Sequence, residues 1–190
     1  MTIDSAFTDF PSLTTERLHL RRFQPGDVDG LYALKSDPDV TSRYGQEPHA
    51  SPADTLAWIE RTKGYYDRRE ALMWGLELKG REGLIGACPF WNFGPGFQSA
   101  EIGYELHPDH WGQGLMSEAL TAIFTFGFDE LGLHRIEACP YAGNIPSINL
   151  LRKLGFTYEG ALRQRHFFRG EYLDVLYFGL LADEWHPTSS

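Results

Sequence analysis

Cysteine, basic charge and long apolar runs are all scarce in this chain of 190 residues. There are two cysteines, Cys88 and Cys139. They lie far apart and form no CxxC or Cys/His pattern, which argues against a disulfide framework or a zinc site and predicts buried free thiols. No stretch approaches the roughly 18 unbroken apolar residues of a membrane span, so no membrane partner is expected. Met1 to Asp9 lacks a basic region followed by an apolar core, so no secretory signal is expected and the predicted location is cytoplasmic. Seventeen basic residues against 26 acidic ones give a formal charge of −9, the wrong sign for a nucleic-acid binder. Also missing are GxxxxGK[ST] and GxGxxG, which argues against a triphosphate P-loop and a dinucleotide fingerprint.

What is present is ordinary globular material, 42% hydrophobic and 23% charged. With no repeat, linker or low-complexity segment, it predicts one domain over residues 1–190 with a motif-bearing core at about 14–185. Glu16–Phe23 alternates Leu18 and Leu20 with polar residues as a half-buried strand does. A short helix follows from Asp27. Ser51, Pro52 and Asp54 form the start of a helix over 51–70. Leu72–Lys79 and Leu84–Phe93 pair around Gly80-Arg81-Glu82-Gly83 as a hairpin. Ala100–Leu106 is a strand, Leu115–Leu131 a helix closed by Gly132, and His134–Cys139 a strand. A short helix at Pro146–Leu154 and a closing hairpin, Thr157–Phe168 with Tyr172–Leu181, complete the order. The class is mixed α+β, with a strand–loop–helix–strand unit at 100–139 forming a right-handed parallel crossover.

The loop of that unit reads HPDHWGQGLMSEAL, residues 107–120. Gly112 and Gly114 sit just where a helix must begin. Unpaired amides and the positive end of the helix dipole make such a place receptive to anions, and glycines let an anion come close. By itself the pattern fits a plain structural turn about equally well.

Four stretches resemble the GNAT superfamily of N-acetyltransferases, closest to the ribosomal-protein-alanine branch: TERLHLRRF at 15–23, AEIGYELHPDHWGQGLMSEAL at 100–120, NIPSINLLRKLGF at 144–156 and RGEYLDVLYFGLL at 169–181. The resemblance implies a GNAT-like fold, a central and mostly antiparallel sheet of about seven strands flanked by helices. It implies that residues 111–116 hold the pyrophosphate of acetyl-CoA, the co-substrate, with no metal. The family's loop runs Arg/Gln-x-x-Gly-x-Gly/Ala. Here Trp111 and Met116 occupy the outer positions, so binding would rest on the backbone of Gly112, Gln113, Gly114 and Leu115. The resemblance adds Asn144, Asn149 and Arg152 as further contacts to this ligand, and the amide of Leu106 as a donor to the thioester oxygen.

Acetyl transfer needs an acid for the leaving thiolate and a path for the amine's proton. Many family members carry a tyrosine where this chain has Leu151. The ribosomal branch has Asn-x-x-Ser, matched by Asn144 to Ser147, so Ser147 is the candidate acid; serine there is also a common helix cap. His166 occupies the place of that branch's proposed glutamate base and has a suitable ordinary pKa. Glu101 matches the carboxylate of other branches. Strand alternation puts Glu101, Gly103 and Glu105 on one face and Ile102, Tyr104 and Leu106 on the other. The expected activity is acetyl-CoA-dependent transfer to a primary amine, with a protein N-terminal α-amino group as one acceptor. The alternatives are a small amine (a polyamine, an amino acid or an antibiotic) and a non-catalytic acyl-CoA-binding module. A monomer or homodimer is expected.

Overall fold

The computed structural model describes residues 3–187. A one-turn helix α1 (Ile3–Ala6) and a two-residue strand β1 (Leu13–Thr14) precede β2 (Leu18–Arg22), in which Leu18 and Leu20 are buried and His19 is exposed. Next come α2 (Val28–Lys35), α3 (Pro38–Thr41) and α4 (Pro52–Asp67). Asp37 caps α3 by accepting from the amides of Asp39 and Val40. Ser51 and Asp54 cap α4 reciprocally, with Pro52 at its first position. The hairpin β3 (Leu72–Leu78) and β4 (Leu84–Trp91) follows.

The strand expected over 100–106 is two strands, β5 (Ser99–Ile102) and β6 (Glu105–Leu106), interrupted at Gly103-Tyr104. α5 (Leu115–Thr125) then runs into a wider π turn, Phe126–Glu130, instead of staying α-helical to Leu131. β7 (Arg135–Ala138), α6 (Ile145–Lys153), β8 (Thr157–Phe168) and β9 (Glu171–Leu181) complete the chain. The strands form one sheet in the order β1-β2-β3-β4-β5-β7-β9-β8, with β6 on β4. Nine strands replace the seven or so expected, because β1 is added and the 100–106 strand is split. Every pair is antiparallel except β5–β7, joined through α5.

The split positions the site. β5 pairs with β7 only at Ser99–Glu101, after which the two diverge. β4 stays in register with both β5 and β6, matching Phe90 to Ile102 and Gly86 to Leu106. Pro89 lies opposite the interruption and has no N–H to give, so its carbonyl accepts from Gly103 without a return bond. Odd-numbered residues thus spend their ladder bonds on β4, as His107 N–H to the Ile85 carbonyl also shows. Alternation leaves the amides of Tyr104 and Leu106 facing the wedge.

Two apolar layers clamp the sheet. On one face α5 buries Leu115, Ala119, Leu120, Ile123 and Phe124 against Trp74, Phe90 and Phe178. Each such side chain contributes about 1.5–3 kcal/mol. On the other face α2 and α4 bury Leu31, Leu34 and Ile59 against Phe23, Leu84 and Ala87.

Candidate active site

A cavity of about 1260 Å³ passes through the wedge and joins the two faces of the sheet. At one end is the glycine turn. Gly112 and Gly114 have φ of 72° and 77°, the left-handed region where side chains are strained. A Cβ at Gly112 would meet nothing within 4 Å, so the turn stands open, and Gly114 is the N-cap of α5. Gly112, Gly114, Leu115, Met116 and Leu106 all line the cavity. Gln113 does not; its side chain donates to the Asp109 carbonyl, and its own carbonyl accepts from Arg17 at 2.9 Å.

Trp111, at the loop's departing position, fastens the turn to the strand: its Nε1–H donates to the Leu106 carbonyl at 2.7 Å. The Arg43 guanidinium lies over its ring at 4.4 Å. Below the turn, Glu118 accepts from Thr15, from the Arg17 amide and from the Arg17 guanidinium. Burial pushes the Glu118 carboxyl up, but these bonds outweigh it and hold the group below its ordinary pKa. Glu118 thereby ties the start of α5 to the approach of β2.

Across the wedge, α6 begins at Asn144, whose side chain accepts from the Ser147 amide at 3.3 Å. That capping role passes to Asn144 and leaves the Ser147 hydroxyl free for another partner. It meets the Tyr104 hydroxyl at 2.7 Å. Burial pushes the Tyr104 phenol well above its usual range, so it stays protonated. Sequence reasoning did not single out Tyr104; it stands on the same sheet face as Ile102 and Leu106, against which α6 packs Ile148 and Leu151. Asn149 and Arg152 are exposed and do not line the cavity. The face of α6 that does so carries Ser147, Leu150 and Lys153, a different phase of the same helix.

The two candidate bases separate as well. Glu101 lines the cavity, accepts from Asn92 at 2.8 Å, and has its carboxyl raised chiefly by burial. His166 does not line it. It stacks on Tyr141 with ring centroids 5.1 Å apart, and its Nε2 is buried without a hydrogen bond. Only a glycine at position 45 permits that packing, since a Cβ there would lie 2.8 Å from Nε2. The cysteines are both free, but only Cys88 is fully buried; half-buried Cys139 borders the cavity beside Glu101, and burial pushes its thiol up to about 12. Among the described residues no group of three or more His, Cys, Asp or Glu could hold a metal.

The face of the sheet under α2 and α4 holds a charged pair the sequence did not announce. Lys35 Nζ lies 2.5 Å from Glu105 Oε1, both side chains only 8% exposed. Above them passes a strap, residues 42–47. It is fixed by Arg169 to Glu47 and by the Asn144 amide to the Arg43 carbonyl.

A family model for the acetyltransferase (GNAT) domain matches residues 17–157. The uncharacterized N-acetyltransferase YoaA of Bacillus subtilis is 35% identical over 172 residues, 90% of this chain and 97% of that protein. The [ribosomal protein uS5]-alanine N-acetyltransferase of Escherichia coli is 30% identical over 92% of this chain and 93% of its own length. Among solved structures, spermidine N-acetyltransferase from Vibrio cholerae in complex with CoA and spermine superposes with a TM-score of 0.78 at 25% identity, covering 88% of this chain and 96% of that one. Motifs, sheet topology and these likenesses agree: the chain belongs to the GNAT family and is an N-acetyltransferase of that type.

Proposed function

We propose that this enzyme transfers an acetyl group from acetyl-CoA to the α-amino group of a peptide or protein. The observation that carries the reading is the cavity running from the glycine turn, past the wedge-facing amides and Ser147, to Glu101 and the Lys35–Glu105 pair on the far face. The amides at the start of α5 suit a diphosphate. Arg43, held on Trp111, supplies the charge that the loop's own side chain lacks. The pantetheine arm then lies along the wedge, and the Leu106 amide donates to the thioester oxygen.

The acceptor nitrogen attacks the thioester carbon, and its surplus proton passes to Glu101. Burial has already raised that carboxylate's proton affinity. Collapse breaks the C–S bond, and the Ser147 hydroxyl, kept in place by Tyr104, gives its proton to the departing thiolate and regains one from solvent as Glu101 releases its own. His166 has no step in this scheme, because its ring is stacked on Tyr141 and does not line the cavity.

The acceptor class rests on similarity to the uS5-alanine enzyme. A small amine is the competing acceptor, favoured by likeness to the spermidine enzyme. Incubation with acetyl-CoA and fractionated lysate, with products read by mass spectrometry, tests both. Acetylated protein N-termini are expected. Acetylated small amines alone would replace the peptide acceptor, and binding of acetyl-CoA without transfer to any amine would overturn the proposal.

A further inference from the structure

Resting on that reading, we infer that Glu105, beneath Tyr44 and beside Lys35 and Trp58, is the seat for the acceptor's amino group, and that the seat takes one cationic centre only. Glu105 Oε1 is engaged by Lys35 at 2.5 Å, while Oε2 is buried with no hydrogen bond at all. A carboxylate can accept about four hydrogen bonds, and leaving half of one buried and idle is costly. The Tyr44 hydroxyl is likewise buried and unbonded. Burial holds its phenol protonated, and the charge of Glu105 and a side-chain interaction with it add to that effect. The hydroxyl thus faces the carboxylate without reaching full hydrogen-bond geometry, and a group placed between the two would serve both atoms. A primary amine does so, giving one N–H to Oε2 and another to the tyrosine oxygen.

The surroundings suit a cation. Lys35 Nζ already stands 4.3 Å from the centre of the Trp58 ring and 5.2 Å from that of Tyr44. Aromatic faces and a carboxylate together form an ammonium cage. Lys35 fills part of it, so a second cation on the same ligand would meet repulsion. Charged and titratable groups around the seat are Lys35 on α2, Glu105 on β6, Glu101 further along the same sheet face on β5, and His49 after the strap, with Arg43, Arg69 and Glu70 lining the same cavity. Position also fits, since Glu105 precedes Leu106, whose amide borders the wedge. An amine on the far face of the strand therefore adjoins the place where the thioester carbon arrives. Lys35, Tyr44, Trp58 and Glu105 all line the cavity, so the seat is reached from it.

The test measures transfer to 2-phenylethylamine, to a tetrapeptide with a free N-terminal alanine and to spermidine, with acetyl-CoA affinity read by calorimetry. Glu105→Gln is expected to lower kcat/KM for the first two at least tenfold, mainly through KM, with acetyl-CoA affinity within twofold of the parent. Because that change strands the Lys35 charge, the Lys35→Met/Glu105→Met double variant is the control for folding; replacing both partners of a buried pair by apolar groups is often neutral or stabilising. It is expected to bind acetyl-CoA normally and show the same loss. Unchanged KM for the amines in a double variant that binds acetyl-CoA would overturn the seat while leaving the proposed activity intact. Spermidine preferred over both monoamines would overturn the one-cation limit. A parent protein that binds acetyl-CoA and acetylates none of the three would overturn this inference and the proposed function together.

Discussion

The two ends of the cavity are built from different material. The end proposed for the cofactor is backbone: two glycines at positive φ, the start of α5, and the wedge-facing amides of Tyr104 and Leu106. The end proposed for the acceptor is side chains: the buried Lys35–Glu105 pair, Glu101, Trp58 and Tyr44. A backbone site depends on local geometry and tolerates many side chains, so Trp111 can replace the family's polar residue by fastening the turn instead. A side-chain site depends on which elements the fold brings together, and single substitutions can respecify it.

Ser147 stands where the two halves meet, and its loss should have the largest effect. Ser147→Ala is expected to lower kcat by about 10²-fold, the usual range for an acid–base group, with acetyl-CoA affinity little changed. Since Asn144 provides the cap, a variant that loses stability but keeps its turnover would show that Ser147 belongs to the helix and not to the chemistry.

The backbone character of the cofactor end is tested by Gly114→Val. A Cβ at this position has room, its nearest neighbour being Arg17 at 3.5 Å, but φ of 77° is strained for a β-branched residue. The turn should therefore rearrange and weaken acetyl-CoA binding about tenfold, near 1.4 kcal/mol. Calorimetry that finds unchanged affinity in a folded variant would remove the diphosphate from this turn.

A smaller effect separates the two candidate bases. Glu101 acts as a base only when deprotonated, and its pKa is raised. The kcat/KM profile should accordingly rise with pH through an inflection above the ordinary carboxylate range, and Glu101→Gln should abolish it. His166→Gln should leave the profile as it was. Loss of the inflection in the His166 variant instead would move proton removal to the outer hairpin.

Much of the fold was legible locally. Ser51-Pro52-Asp54 marked a helix start, Gly80 to Gly83 a hairpin, and the 100–139 unit a parallel crossover, because caps, turns and periodicity act over a few residues. The positions of Asn149, Arg152 and His166 relative to the cavity were not legible: a helix pattern shows which residues share a face, not which face lines a cavity, and a strand position does not show that the His166 ring stacks on Tyr141.

By itself the sequence determined the strands and helices, the glycine turn and the serine at the head of α6, all products of short-range backbone preference and capping. Only the tertiary structure decided where β5 leaves β7, that Tyr104 reaches Ser147 and that Lys35 meets Glu105 across 70 residues of chain. Those outcomes come from packing whole elements against one another, and the energies that select them are spread over contacts between residues far apart in sequence.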